Sequence, residues 1–182
     1  MRTDVPEKLL NIISDIEEEG PQNLTRLAVL KRWLSDPDRL ASFAVFIGKR
    51  AASKKGKAKG HDAVLFKKAS ALFKSTPVCN PRVTVERAEQ LLEELSDYQR
   101  EYKEQKWGRV RAIKNWNLHL IENGLRIYLR DRDNPSLGYR LAVKYCQSYD
   151  PAYGTMLDNS SVYKLEEIVR FMFKYEALCD FQ

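Results

Sequence analysis

Residues 109–130 read RVRAIKNWNLHLIENGLRIYLR, and their spacing decides the fold class. Val110, Ile113, Trp116, Leu120 and Ile127 form one apolar stripe at helical intervals, and Leu118, Ile121, Leu125 and Tyr128 form a second. Both stripes follow a period near 3.6 residues rather than the period of two that a half-buried strand requires. A helix that is apolar on two sides is enclosed by neighbours. This stretch is therefore expected to be the central, buried helix of an all-α protein.

The same periodicity extends in both directions. Upstream, Ala88, Leu91, Leu95, Tyr98 and Tyr102 alternate spacings of three and four, the seam of a coiled-coil-like helix. Leu65, Phe66, Ala69, Leu72 and Phe73 mark another helix, and Leu40, Phe43, Ala44, Ile47 and Ala51 one before it. Ser35-Asp36-Pro37-Asp38 reads as a turn with Ser35 or Asp36 as N-cap. Leu24, Leu27, Leu30, Trp33 and Leu34 precede that turn. At the N-terminal end, Leu9, Ile12, Ile13 and Ile16 follow Pro6 and stop at Gly20-Pro21. Downstream, Leu141, Ala142, Tyr145 and Cys146 mark a helix after Asn134-Pro135. Residues 150–160 read as a loop, and Val162, Leu165, Val169, Met172 and Phe173 mark the last helix, with Phe171 and Tyr175 widening its apolar face. The expected architecture is a single helical domain over 1–182, a bundle of about seven helices.

Composition agrees. With 43% hydrophobic residues and only 8 Gly and 7 Pro, the chain has material for a core and few turn signals, which disfavours a many-turned β protein. At 182 residues a globule buries roughly 70% of its unfolded surface and is stable without disulfide or metal. No run approaches the roughly 20 apolar residues of a membrane span. The first residues carry no apolar signal region, so Asn23-Leu-Thr25 and Asn159-Ser-Ser161 are read as chance sequons. Cys79, Cys146 and Cys179 are odd in number and far apart, which is the pattern of reduced thiols in a cytoplasm.

Charge is unevenly placed. The net charge is +6, but residues 23–75 hold thirteen Lys and Arg against three Asp and Glu, while the segment 141–182 is net acidic. Lys49, Arg50, Lys54, Lys55, Lys57 and Lys59 crowd one short stretch, and two glycines make a mobile basic loop of about residues 54–61. Such a segment serves as a solvated loop that keeps the protein soluble. Alternatively it binds polyanions by counterion release, with Arg109, Arg111 and Lys114 extending the patch. Aromatic residues do not interleave with these lysines, which argues against base stacking. The Ser35–Asp38 turn resembles a helix-turn-helix only as any bundle corner does.

Catalytic chemistry finds little footing. Phe46-Ile-Gly-Lys-Arg50 lacks the earlier glycine and the hydroxyl residue of a phosphate-binding loop. His119 and Glu122 share a helix face, but a carboxylate-bridged metal pair needs two such units and further glutamates. The acids of 84–105 alternate with Lys and Arg, as on a salt-bridged solvent face. No cofactor or metal is expected.

Tyrosines concentrate in the last third. Tyr149, Tyr153 and Met156 lie in the loop best placed to present a recognition surface, since Tyr suits interfaces. The functional expectation is a non-enzymatic helical binding or adaptor module that engages a protein partner or a second copy of itself. Nucleic-acid binding through the 49–59 stretch is the alternative, and an enzyme without a recognisable motif the third.

Overall fold

The computed structural model describes residues 5–20, 26–74, 76–105, 115–146, 149–150, 155–156 and 158–179. Through them run α1 (Glu7–Glu19), α2 (Arg26–Trp33), α3 (Pro37–Ala52), α4 (Gly60–Phe73), α5 (Val85–Gln105), α6 (Trp116–Arg130), α7 (Pro135–Cys146) and α8 (Asp158–Cys179). Eight helices among the described residues stand close to the seven expected. Within the stretch 150–160, read as a loop, some of the described residues belong to regular elements. Two-residue strands β1 (Tyr149–Asp150) and β2 (Thr155–Met156) pair antiparallel, and α8 begins at Asp158.

Helix ends follow local chemistry. Asp36 caps α3 by accepting from the amides of Asp38 and Arg39, at 2.8 and 3.4 Å, and Pro37 supplies a first-turn residue with no amide to satisfy. Asn115 caps α6, accepting from Asn117 and Leu118 at 3.0 and 3.2 Å. Pro6 stands one place before α1 and Gly20 closes it. Between α3 and α4 the chain makes tight turns over 53–59. Gly56 and Gly60 take φ of 56° and 61°, values that glycine adopts without strain. The basic loop is thus shorter than 54–61, because Gly60 and His61 already belong to α4. Asp62, in the first turn of that helix, accepts hydrogen bonds from the hydroxyl of Tyr98 and from Asn115 Nδ2.

The centre is a pair of helices, α3 against α6. α3 buries ten residues, among them Leu40, Phe43, Ala44 and Ile47. A Cβ at Gly124 of α6 would lie 2.8 Å from the Ala44 carbonyl oxygen and 3.6 Å from the Gly48 nitrogen. The two backbones therefore meet almost directly, and only glycine fits at the crossing. The expected enclosure of residues 109–130 holds for 116–130, where Leu118, Leu120, Ile121, Leu125, Ile127 and Tyr128 are buried. Residues 109–114 lie outside the described residues.

Around this pair, α5 closes one side through Ala88, Leu91, Leu92 and Leu95, and its outer face is laced by ion pairs to Lys68 (2.8 Å) and Arg130 (2.9 Å). Of the face expected for α8, Phe171, Met172 and Tyr175 are buried together with Ile168, while Leu165, Val169 and Phe173 are only partly so. Glu176 is also buried, accepting from Trp33 Nε1 at 2.7 Å and pairing with Arg39 Nε at 2.8 Å. A stripe counted from apolar residues alone cannot see such a group.

Cys79 and Cys179 form a disulfide across 100 residues of sequence, and Cys146 remains a free thiol. This corrects the expectation of three reduced cysteines, because sequence spacing does not reveal which residues the fold returns to one another. No helix among the described residues is long and apolar enough to cross a membrane.

Candidate functional site: a cationic groove between α3 and α8

The helices α3 and α8 run antiparallel, joined by side chains. Arg39 meets Glu176, Phe46 stacks on Phe171 with ring centroids 4.3 Å apart, and Arg50 meets Glu167 at 3.0 Å. Long side chains at these positions leave a groove of about 540 Å³ beside them. On α3 its wall is the helical stripe Ser42, Val45, Phe46, Lys49, Arg50 and Ser53. On α8 it is Glu167, Arg170, Phe171 and Lys174. The connection Thr76-Pro77-Val78 forms the third side. The volume lies within the range of ligand sites.

The floor is apolar and the rim is positive. Val45, Phe46, Pro77, Val78 and Phe171 supply the first. Phe171 belongs to an aromatic chain reaching the core, with Trp33 at 6.2 Å and Trp33 to Tyr175 at 5.4 Å. Lys49, Arg50, Arg170 and Lys174 supply the second, with Glu167 paired to Arg50 and Glu166 lying 3.9 Å from Arg170. Two polar atoms are buried here without a hydrogen-bond partner, Ser42 Oγ and Arg50 Nε. A buried polar atom left in that condition costs stability unless something supplies its partner.

Glu167 does not neutralise the groove. Burial pushes its carboxyl up, but hydrogen bonds from Tyr145 and Arg50 and the charges of Arg50 and Lys54 prevail, holding it below the usual carboxylate value. Tyr145 donates to Glu167 Oε2 at 2.5 Å, and burial together with that bond pushes its hydroxyl up to about 12. Arg50 is held above its ordinary value by its bonds to Tyr145 and Glu167. Burial and the nearby Lys54 lower Lys164, one turn before Glu167.

The fold thus gathers part of the basic stretch and divides it. Lys49 and Arg50 line the groove, and Lys54 is close enough to act on Glu167 and Lys164. Lys55, Lys57 and Lys59 lie exposed on the turns before α4. Arg109, Arg111 and Lys114 fall outside the described residues, as does Tyr153; the backbone register places Tyr149 opposite Met156. Ser42, Glu167, Arg170 and Lys174 went unnoticed in the sequence. Their signal was the spacing Glu167–Arg170–Lys174 beside an apolar stripe, hidden because the segment as a whole is net acidic.

The histidine reading meets a different environment from the one a metal needs. His119 Nε2 lies 3.2 Å from both Asn123 Nδ2 and Lys144 Nζ. Burial and Arg140 lower Lys144, so its neighbours there are largely cationic. Glu122 turns instead to Arg126 at 2.8 Å and Ser96 at 3.3 Å. Among the described residues no cluster of three or more His, Cys, Asp or Glu is positioned to hold a metal ion.

Compared with models of protein families, with curated proteins and with solved structures, the chain matches none.

Proposed function

We propose that this protein is a non-enzymatic binding module whose α3–α8 groove seats an acidic, partly apolar segment of a partner protein. One observation carries the reading: four cations, Lys49, Arg50, Arg170 and Lys174, rim a groove floored by Phe46, Phe171, Val45 and Val78. Apolar anchors with complementary charge around them are how short segments are recognised. The anchors contribute affinity, and the charges steer encounter and register. Glutamate or aspartate side chains can neutralise the rim.

The test is a titration with a fluorescein-labelled heptapeptide, Glu-Glu-Leu-Phe-Glu-Glu-Leu, followed by anisotropy. Saturable binding that weakens with salt and is lost in Lys49→Glu/Arg170→Glu supports the reading. The Glu→Gln version of the peptide, in which every Glu is replaced by Gln, should bind at least about tenfold more weakly, which is about 1.4 kcal/mol. Absence of binding, or binding indifferent to the double variant, overturns it.

A second reading rests on Lys55, Lys57 and Lys59, which are exposed on the turns before α4. If nucleic acid is the partner, duplex and single-stranded oligonucleotides bind at low salt. Changing Lys54, Lys55, Lys57 and Lys59 to Ala then abolishes binding, while the groove variant does not.

A further inference from the structure

We propose that the Cys79–Cys179 disulfide is a redox latch on the α3–α8 groove, holding its third wall in place and releasing it on reduction. The inference rests on the groove being the binding site. Its basis is where the two cysteines stand. Cys79 directly follows Thr76-Pro77-Val78, the wall contributed by the α4–α5 connection. Cys179 is the last residue of α8, the helix that contributes Phe171 and Lys174 to the opposite side. The bridge therefore ties one wall of the groove to the other.

Both partners have independent anchors that stop short of the bridge. Before the wall, Thr76 is held to the end of α4, its amide and hydroxyl both donating to Phe73 O at 3.3 and 3.0 Å. After it, the Tyr128 hydroxyl on α6 donates to Pro81 O at 2.9 Å and accepts from the Val83 amide at 3.2 Å. α8 is fixed by buried Phe171, Met172 and Tyr175 and by Glu176 with Trp33 and Arg39. Beyond Glu176 the hold weakens: Leu178 is 54% exposed and Cys179 is only partly buried against the core. Opening the bridge thus loosens residues 77–80 and the last turn of α8, where Val78 and Cys179 keep only partial burial against the core, and leaves the fully buried contacts in place.

The chemistry is thiol–disulfide exchange with a low-molecular-weight thiol or dithiol. A reductant thiolate attacks one sulfur and forms a mixed disulfide, expelling the other cysteine as a thiolate. A second reductant thiolate then releases the first cysteine, both cysteines take up protons, and the reductant leaves as its own disulfide. Two electrons pass from the reductant to the bridge. A pre-formed wall binds more tightly than one that must be ordered on binding, so the oxidised state is the high-affinity state.

The experiment compares oxidised protein, dithiothreitol-reduced protein and Cys79→Ser/Cys179→Ser. Alkylation under denaturing conditions should label one thiol, Cys146, before reduction and three afterwards. Hydrogen exchange should quicken at residues 78–80 and in the last turn of α8. Helical circular dichroism should be unchanged, and affinity for the acidic heptapeptide should fall about tenfold. Three labelled thiols in oxidised protein, unaltered exchange, or loss of helical signal on reduction each overturn the latch; the last makes the bridge a staple for the whole fold. Equal peptide affinity in both states overturns the gating while leaving the binding function standing. If the peptide binds neither state, the groove function fails and with it the gating.

Discussion

Replacing Gly124 by Ala should destabilise the protein, although the same change in an ordinary helix stabilises it. In an exposed helix interior, Ala is better than Gly by about 1 kcal/mol, because glycine loses more backbone freedom on folding. At the α3–α6 crossing that gain meets a steric cost. The new methyl would lie 2.8 Å from the Ala44 carbonyl oxygen, a backbone atom that cannot swing away. α6 must back off by several tenths of an ångström along a contact lined by Phe43, Ala44, Ile47, Ile121 and Leu125. Overpacking of this kind costs about 1–3 kcal/mol, and separating the pair loosens contacts on both sides. The net expectation is a loss of about 1–2 kcal/mol. For a chain of this size that corresponds to a Tm lower by roughly 2–8 °C. Urea and thermal unfolding followed by circular dichroism at 222 nm measure both quantities. A Tm equal to or above that of the unchanged protein would refute the close approach of the two backbones, and with it the α3–α6 pair as the centre.

Glu176→Gln should cost about 3 kcal/mol in urea unfolding, because Arg39 would keep a buried charge without its carboxylate. Adding Arg39→Met should recover part of that loss, and a double mutant no better than the single would contradict the pairing. Tyr128→Phe removes the hydroxyl shared by Pro81 O and the Val83 amide, both buried; a loss of about 1–2 kcal/mol is expected, and unchanged stability would count against that anchor. The tyrosinate absorbance at 295 nm should show one group titrating near pH 12 that disappears in Tyr145→Phe. Since its folded value is raised, Tyr145 contributes stability that is full below the ordinary tyrosine range and lost as pH rises through about 12. Glu167 has the opposite sign. Its lowered value contributes stability above the ordinary carboxylate range that fades as pH falls through the folded value, so Arg50→Met should shift acid unfolding to higher pH.

Much of the fold was legible because helical periodicity is a local property. The stripe Leu40, Phe43, Ala44, Ile47 and Ala51 is buried as read, and so are Leu65, Phe66, Ala69 and Phe73. The cap at Asp36 followed from one hydrogen bond between close neighbours. What local spacing missed were distant polar partners. Trp33 and Arg39 give Glu176 its buried place on α8, and Asp62 accepts from Tyr98, thirty-six residues on.

The candidate site shows the same division. Lys49 and Arg50 stood out as members of a dense basic run, which sequence composition detects directly. Arg170 and Lys174 did not, since the surrounding acids masked them in any local average. The amino-acid order alone established helices, their approximate limits and a concentration of positive charge, because those depend on residues within a few turns of each other. Only the tertiary structure decided that α8 returns antiparallel along α3, that its cations face Lys49 and Arg50 across an apolar floor, and that Cys79 finds Cys179. These are meetings between residues 100 or more positions apart, and they are set by how the helices pack rather than by any pattern along the chain.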